Sequence, residues 1–225
     1  MEREFEKYTS CDAADAMVAV GGANDGGAIP FVHQQSGRAG ATIAGPAYTV
    51  EYAPQSDPRP AVSGHYIDSV PAGAIVLIAT AADCQLDYAP YTSLRNSLYG
   101  GLMSTRAKYL GAAGTVVLGL IRDIAEHRRL DYPVYSYGLG SCAPNKLAKV
   151  VAVNEPVVIG DRTVRPGDVV VADENGVVTV PADKANACLD YMPLRAKADE
   201  LAAEDIAGGI PAATAQKNRR QGLPK

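Results

Sequence analysis

Two nearly continuous apolar segments constrain the fold of this 225-residue chain more than any other feature. They are residues 74–80 (AIVLIAT) and 115–120 (TVVLGL), and segments of this kind are typical of strands buried in a sheet. Residues 102–110 between them have a helical pattern that ends at Gly111, a residue type suited to the position after a helix. The chain is therefore predicted to be an α/β protein in which helices and strands alternate.

Other segments predict further elements around this centre. A helix is expected at residues 10–20, with Ser10 as its N-cap, and another at residues 60–70. Residues 182–206 form a long helical pattern that is expected to bend or break near Pro193, and the tail beyond it is either a short basic helix or disordered. Strands are predicted at residues 45–52, 133–137, 148–153, 156–159, 162–165, 168–172 and 177–180.

Composition excludes several classes of function. The 21 basic and 25 acidic side chains give a formal net charge of −4, and no basic run exceeds two residues, so nucleic acid is not an expected partner. The longest mostly apolar stretch, residues 71–82, is shorter than the roughly 20 residues that span a bilayer. The first residues carry charges of both signs and precede no apolar segment, so we expect no secretory signal and a cytoplasmic location. Four scattered cysteines and three isolated histidines predict neither a disulfide framework nor a zinc site.

Chain geometry is expected to bring two separated motifs together. A helix after Gly101 advances roughly 15 Å and the next strand returns over roughly 20 Å, which places Arg122 and Asp123 beside the glycine pair. The unpaired N–H groups at a helix start bind anions, and glycine lets a ligand approach the backbone closely. Arg122 would add a planar fork of donors for a carboxylate, and Asp123 an oxygen ligand for a hard cation such as Mg²⁺. On these residues alone, a surface ion pair next to an ordinary helix start is the alternative.

Longer stretches carry a resemblance to a known family. They are TSCDAADAM (residues 9–17), GPAYTV (45–50), YGGLMSTRAKYLGAAGTVVLGLIRD (99–123), YPVYSYG (132–138) and VRPGDVVVADENGVVTVP (164–181). With these segments the chain resembles the RraA-like family, which includes class II pyruvate aldolases acting on 4-hydroxy-4-methyl-2-oxoglutarate and 4-carboxy-4-hydroxy-2-oxoadipate. The resemblance covers about residues 9–209, so we expect a single domain over residues 1–225 with its core there and a C-terminal tail at residues 210–225.

The resemblance also implies an architecture and an assembly. It implies a swivelling β/β/α fold with a C-terminal helical extension, and a homotrimer, sometimes doubled to a hexamer, with sites between subunits. An acidic residue of the neighbouring subunit completes some sites of the family. The candidates here are Asp199 and Glu200, and the sequence does not choose between them, because either one is also typical of a solvated helix face.

Site roles follow from the same resemblance. The arginine matching Arg122 binds substrate, and the aspartate matching Asp123 holds a divalent metal, Mg²⁺ or Mn²⁺, largely through waters. The resemblance further implies that backbone N–H groups cradle the substrate at four positions, Gly100, Gly101, Leu102 and Met103.

The chain departs from the family pattern in three places. Leu118 replaces an aspartate that is frequent before the glycine of the family motif, and Tyr99 stands where many relatives have tryptophan. The loop at residues 80–97 is longer than its equivalent in the best-known aldolases. His127, just past the Arg-Asp pair, is expected to be a packing or surface residue.

The loop at residues 80–97 leads into the glycine pair. We therefore expect substrate specificity to depend on its polar and aromatic residues, Asp83, Asp87, Tyr88, Tyr91 and Arg95.

The predicted function is that of a divalent-metal-dependent lyase. It would cleave a small 4-hydroxy-2-oxo acid to pyruvate by a retro-aldol reaction, with oxaloacetate decarboxylation as a side activity. Two alternatives are open at this stage. One is a regulatory protein that binds another protein, since the namesake of the family inhibits a ribonuclease by protein contact. The other is an enzyme that applies the same enolate chemistry to an unrelated biosynthetic substrate.

Overall fold

The sheet is organised around β3 (Ile43–Pro54). In the computed structural model, which describes residues 2–223, β3 is parallel to β4 (Ile75–Thr80). β4 is in turn parallel to β6 (Gly114–Ile121), and β6 is parallel to β7 (Val134–Leu139). β4 and β6 contain the two apolar segments, so the prediction that both form buried strands is confirmed.

Shorter strands extend this parallel centre on both sides. They are β1 (Ala28–Ile29), β2 (His33–Ser36), β5 (Ser97–Tyr99), β8 (Ala148–Val153), β9 (Val157–Ile159), β10 (Arg162–Val164), β11 (Val169–Asp173) and β12 (Gly176–Val180). On one side β11 pairs antiparallel with β3, β12 with β11, and β1 with β12. On the other side β2 pairs antiparallel with β7, while β5 runs parallel to the end of β6. β8 pairs antiparallel with the second half of β3, and β9 and β10 form a separate hairpin.

Helices cover the sheet and its ends, giving a mixed α/β fold as predicted. They are α1 (Ser10–Ala19), α2 (Gly101–Tyr109), α3 (Ile124–Arg129), α4 (Ala185–Ala207) and α5 (Ala212–Arg219). α1 packs against α4, and α4 packs against α5, which forms the C-terminal helical extension. The helical alternative for the tail is therefore confirmed, although residues 224 and 225, like residue 1, lie outside the described residues. Among residues 2–223, no helix combines the length and the apolar character that a membrane span requires.

Both faces of the central strands are buried. On β4, Val76 and Ile78 belong to one apolar cluster, and Ile75 and Leu77 belong to a second cluster on the opposite face. A strand with two buried faces has no solvent side, which is why its sequence does not alternate between apolar and polar residues. The central sheet is thus a rigid base for the loops that follow β5 and β6.

The N-cap of the first helix is one residue earlier than predicted. Thr9, and not Ser10, is the N-cap: its hydroxyl accepts a hydrogen bond from the Asp12 N–H, and the Asp12 carboxylate accepts one from the Thr9 N–H. Such reciprocal capping satisfies two N–H groups that a helix start leaves unpaired. Ser10 is buried instead, and both its N–H and its hydroxyl donate to Asp173 at 2.7 Å.

The predicted helix at residues 60–70 is wrong, and of the bend or break expected near Pro193 the break is wrong. Residues 60–70 form only a 3₁₀ turn, Tyr66–Ser69, because Gly64 adopts a φ of 77° and Val62 donates its N–H to the Val150 carbonyl. Conversely, α4 continues through Pro193 without a break. Proline removes one N–H donor from a helix, but the residue before it, Met192, is fully buried in the core and holds the helix in place.

Candidate active site

The candidate site lies where two neighbouring strands end. β5 leads through Gly100 into α2, and β6 leads through Arg122 and Asp123 into α3. The Arg122 N–H donates to the Tyr99 carbonyl at 3.0 Å, and the Gly101 N–H donates to the Asp123 Oδ2 atom at 3.0 Å. The structure therefore brings the glycine pair and the Arg-Asp pair together, as the lengths of α2 and β6 predict.

Glycine is required here for space and not for its backbone dihedrals. The φ of Gly100 is −154°, which is ordinary extended backbone. A Cβ atom on Gly100 would lie 2.7 Å from Asp123 Oδ2 and 3.2 Å from Arg122 Nε. A Cβ atom on Gly101 would overlap the Glu126 carboxylate and lie 2.8 Å from the Glu126 Cβ atom. Because Gly100 and Gly101 have no side chains, Asp123 and Glu126 can both approach the start of α2. Sequence reasoning missed Glu126, although its position three residues after Asp123 in a short helix could have indicated it.

Asp123 has an unusual backbone conformation for a residue with a side chain. Its φ of 62° and ψ of 39° lie in the left-handed region. Residues other than glycine adopt this conformation only at a cost in free energy. This conformation directs the carboxylate back to Gly101, and it does not cap α3. Arg122 Nε lies 3.5 Å from Asp123 Oδ2, and the two side chains are 40% and 34% exposed. Both therefore remain accessible from solvent.

An open cleft of about 510 Å³ gives access to the pair. Its walls come from the β6–α3 turn and from the segment that follows β7, and its lining residues are Arg122, Asp123, Ile124, Ala125, Leu139, Gly140 and Ser141. The Asp123 Oδ1 atom accepts no hydrogen bond from any residue between 2 and 223. No cluster of three His, Cys, Asp or Glu side chains exists in that part of the chain either. The donor set thus fits a hard cation held by one carboxylate oxygen and water, the arrangement that Mg²⁺ commonly adopts.

The other two predicted cradle residues differ in environment. Leu102 is 73% exposed at the first turn of α2, whereas Met103 packs against the core. The Met103 N–H donates to the Gly100 carbonyl at 3.0 Å, and the Gly101 N–H is already paired with Asp123. An internal carboxylate therefore takes part of the anion-binding capacity that the sequence predicts for this helix start.

A buried polar network lies beneath the site, and it includes the histidine that was expected to be a packing or surface residue. His127 is fully buried, with its Nε2 atom 2.7 Å from the Arg122 carbonyl oxygen and its Nδ1 atom 2.8 Å from Ser104 Oγ. Burial lowers the pKa of His127 from its ordinary value. Further hydroxyl groups continue the network away from Ser104, and they belong to Tyr99, Thr115 and Tyr132.

The long loop before the site is fixed by contacts of its own. Tyr91 stacks on Phe31 with ring centroids 4.2 Å apart, and the Gln85 side chain donates to the carbonyls of Thr80 and Val158. At the end of the loop, Asn96 donates to the Ala143 carbonyl at 2.6 Å, next to the segment that lines the cleft. Across residues 2–223, no hydrogen bond or ion pair connects the Arg-Asp pair with the five predicted specificity residues, Asp83, Asp87, Tyr88, Tyr91 and Arg95. Their role in specificity stays a prediction.

The two candidate interface acids have partners within their own chain. Asp199 accepts hydrogen bonds from Arg195 at 2.7 Å and from Arg220 at 2.6 Å. Burial raises the pKa of Asp199, but the two arginines outweigh that effect and hold it below its ordinary value. Glu200 forms an exposed pair with Lys197. Neither contact tests whether one of these acids acts across a subunit boundary.

Comparison with known proteins identifies the family. The sequence model of the RraA-like family, described as Aldolase/RraA, matches residues 10–179 and so includes both halves of the candidate site. The chain belongs to the RraA-like family. A Halalkalibacterium halodurans protein with the name "Putative 4-hydroxy-4-methyl-2-oxoglutarate aldolase" is 30% identical over 170 residues, which are 76% of this chain and 74% of that protein. The predicted family is therefore confirmed.

Two further relatives extend the comparison of this RraA-like chain. Protein DlpA of Legionella pneumophila is 30% identical over 192 residues, which are 82% of this chain but only 28% of DlpA. The chain thus spans little more than a quarter of that relative. The crystal structure of an uncharacterized protein from Pseudomonas syringae pv. tomato superposes with a TM-score of 0.77 at 27% identity, covering 95% of each chain. This agreement over nearly the whole length confirms the predicted fold class.

Proposed function

We propose that this RraA-like protein is a divalent-metal-dependent lyase that cleaves a 4-hydroxy-2-oxo acid to pyruvate. The observation that carries the proposal is the position of the Arg122 guanidinium and the Asp123 carboxylate on one open cleft, directly beside Gly100 and Gly101. A short oxo acid offers a carboxylate for an arginine and two oxygens for a hard cation. The name of the Halalkalibacterium halodurans relative supports the same class of reaction.

Arg122 would bind and orient the substrate. Its Nε atom faces Asp123, whereas its Nη groups make no hydrogen bond to any of residues 2–223. Paired guanidinium donors match the geometry of a carboxylate or of a carboxylate next to a carbonyl. We therefore assign Arg122 to the C1 carboxylate and C2 carbonyl end of the substrate.

Asp123 would hold the metal ion, Mg²⁺ or Mn²⁺, through the carboxylate oxygen that has no hydrogen-bond partner among residues 2–223. When bound, such an ion neutralises the negative charge that develops on the C2 oxygen as the C3–C4 bond breaks. The chain contributes the orientation of the ligand, because the Gly101 N–H holds the other oxygen of the carboxylate at 3.0 Å. The Leu102 side chain, exposed at the start of α2, would exclude water from one side of the substrate.

Two proton transfers complete the reaction. The C4 hydroxyl must lose a proton, and C3 of the product must gain one. For the first transfer we propose that the carboxylate of Asp199 or Glu200 from a neighbouring subunit, in a homotrimer or hexamer, acts as the base. The carboxylic acid that it forms would return this proton to C3 of the enolate. Decarboxylation of oxaloacetate passes through the same pyruvate enolate, so we propose it as a side activity.

The test is a pyruvate assay coupled to lactate dehydrogenase. Candidate substrates are a panel of 4-hydroxy-2-oxo acids of different C4 substituents, together with oxaloacetate, each with and without Mg²⁺. The proposal expects metal-stimulated pyruvate release from at least one member of the panel. Absence of pyruvate from every member would overturn it and would favour the two alternatives, a protein-binding regulator or an enzyme for an unrelated substrate.

A further inference from the structure

We infer that the cleft selects a substrate with an apolar, uncharged C4 substituent, so that a 4-hydroxy-2-oxo acid with one carboxylate is preferred over a dicarboxylate. The preference rests on the function proposed above, because it concerns the part of the substrate that Arg122 and Asp123 would not hold. The composition of the cleft wall beyond this pair is the observation that carries it.

The cleft wall beyond the Arg-Asp pair is uncharged across residues 2–223. The lining residues there are Ile124, Ala125, Leu139, Gly140 and Ser141. Leu139 is 52% exposed on this wall, and Leu102 is 73% exposed at the start of α2, next to Gly101. Contact with an apolar group removes such surfaces from water, which favours binding. The surroundings of the pair therefore match a hydrocarbon substituent better than a charged one.

A second carboxylate on the substrate would find no cationic partner on this wall. Among the residues between 2 and 223 that line the cleft, Arg122 has the only cationic side chain. We have assigned it to the C1 carboxylate and C2 carbonyl that every 2-oxo acid has. A carboxylate at C4 would lose water without gaining an ion pair, and Asp123 and Glu126, both at the start of α2, would repel it. Ser141 can donate one hydrogen bond to such a group, but it carries no charge.

Basic residues near the site are directed to other parts of the chain. The Lys108 ammonium group of α2 donates to the Leu130 carbonyl, and Arg128 of α3 donates to the Gln35 carbonyl at 3.4 Å. Arg95, on the long loop before β5, does not line the cleft either. The described part of the chain thus supplies one cation to the cleft, and that cation is Arg122.

The segment that carries Leu139 is fixed to the sheet. The Gly140 N–H donates to the Ile121 carbonyl at 2.8 Å, and the Ser97 N–H donates to the Cys142 carbonyl at 2.9 Å. A Cβ atom on Gly140 would lie 2.8 Å from Ser97 Oγ, so the backbone of this segment packs closely against β5. This packing opposes movement of the segment and keeps Leu139 on the cleft wall.

Two non-cleavable 2-oxo acids test the preference at equilibrium. 2-Oxoglutarate carries a carboxylate on C4, whereas 5-methyl-2-oxohexanoate carries an isopropyl group of matching size there, and neither has the C4 hydroxyl that cleavage requires. In isothermal titration calorimetry with Mg²⁺ present, we expect the isopropyl compound to bind at least about tenfold more tightly. Equal affinities, tighter binding of 2-oxoglutarate, or no binding of the isopropyl compound would overturn the inference.

The corresponding hydroxy acids test the same preference in turnover. They are 4-hydroxy-2-oxoglutarate and 4-hydroxy-5-methyl-2-oxohexanoate, and the coupled pyruvate assay measures kcat/KM for each. We expect the isopropyl substrate to be favoured by at least about tenfold. Oxaloacetate does not belong in this comparison, because its second carboxylate is the group that leaves.

A matched set of variants tests the role of the wall. Leu139→Arg adds a cation and should shift the ratio of the two affinities by about tenfold toward 2-oxoglutarate, the effect of one charged hydrogen bond. Leu139→Gln adds polarity without charge and should shift the ratio by less than about threefold. Leu147, 54% exposed and outside the cleft, provides the control Leu147→Arg, which should leave the ratio unchanged. Equal shifts in the two arginine variants would overturn the inference.

Two other results would assign the selectivity to a different part of the molecule. A selective loss of 2-oxoglutarate affinity in Arg95→Gln would show that a C4 carboxylate binds to the long loop, and it would overturn the inference. Sedimentation of Leu139→Arg tests whether a neighbouring subunit covers this leucine. A changed assembly with equal losses of affinity for both compounds would make Leu139 a subunit contact and would also overturn the inference.

The wild-type affinities remain decisive if Leu139→Arg does not fold, which circular dichroism would show. They also separate this inference from the proposed lyase. The expected affinities without pyruvate release from either hydroxy acid would reject the lyase and retain the preference of the cleft. Pyruvate release with a preference for the dicarboxylate would retain the lyase and reject the preference.

Discussion

The Oδ2 atom of Asp123 accepts a hydrogen bond from the backbone N–H of Gly101 at 3.0 Å. This contact joins the turn after β6 to the start of α2, and it leaves the other oxygen of a carboxylate on the wall of the open cleft without a hydrogen-bond partner among residues 2–223. It depends on the absence of a side chain at the preceding residue, Gly100, because a Cβ atom there would lie 2.7 Å from the same oxygen. The geometry of the proposed metal ligand is therefore controlled by a glycine.

The first prediction is that Gly100→Ala impairs the site and leaves the fold intact. The backbone at Gly100 is extended with a φ of −154°, so alanine causes no conformational strain. The added methyl group must displace the Asp123 carboxylate or the Arg122 side chain, 3.2 Å away at Nε. We expect kcat/KM for pyruvate release to fall by about tenfold or more. Gly208→Ala, where the new Cβ would meet its nearest neighbour at an ordinary 3.4 Å, is the control.

The second prediction separates substrate binding from metal binding at Arg122. Lysine keeps the positive charge but lacks the planar fork of donors, so Arg122→Lys should lower kcat/KM by about 10- to 100-fold. Affinity for Mn²⁺ depends on Asp123 and should change far less. Steady-state kinetics and a Mn²⁺ titration on the same variant decide between the roles. A parallel loss of metal affinity and activity would make Arg122 a structural partner of Asp123.

Much of this site could be predicted from the sequence, because it depends on local geometry. The continuous apolar segments of β4 and β6 indicated buried strands, and the lengths of α2 and β6 placed Arg122 and Asp123 beside the glycines. The polar network could not be predicted, because its members come from segments that meet only in the folded chain. His127 contacts Ser104 of α2, and Tyr99 contacts Thr115 of β6. No spacing rule relates these positions, and a lone histidine in a short helix is also typical of a surface residue.

The third prediction concerns stability at low pH. Asp173 is buried and accepts three hydrogen bonds, from the N–H and hydroxyl of Ser10 and from the Asn175 N–H. Burial raises the pKa of Asp173, but these hydrogen bonds outweigh it and hold the pKa below the ordinary value of 3.8. A lowered pKa in the folded state adds stability that is fully present above the unfolded value and lost as the pH falls below it.

Asp173→Asn should therefore reduce the free energy of unfolding by about 2 kcal/mol at pH 7, since an amide cannot accept all three bonds. The difference from wild type should shrink as the pH falls below about 4. Urea unfolding at pH 7 and pH 3.5 measures both effects, with exposed Asp183→Asn as the control. A difference that is independent of pH would contradict the assigned charge of Asp173.

The fourth prediction tests the proposed contribution of a neighbouring subunit. Sedimentation should give a trimer or hexamer, and mixing Arg122→Ala subunits with Glu200→Gln or Asp199→Asn subunits should restore activity if that acid acts across the interface. Asp199 also holds Arg195 and Arg220 in its own chain, so its variant needs a stability measurement alongside. Among residues 2–223, Glu200 pairs only with the exposed Lys197, which makes its variant the cleaner test. A fully active monomer would contradict the proposed assembly.

The most direct test of the central claim is pyruvate release by wild type and Asp123→Ala, each with Mg²⁺ and with a chelator. Asp123 is partly exposed and fills no core volume, so the variant should fold, with a melting temperature lowered modestly by loss of the hydrogen bond from the Gly101 N–H. We predict that the chelator abolishes wild-type activity, that Mg²⁺ restores it, and that Asp123→Ala is inactive under both conditions. Full activity of folded Asp123→Ala in Mg²⁺, or wild-type activity that the chelator leaves unchanged, would contradict a metal-dependent lyase at this site.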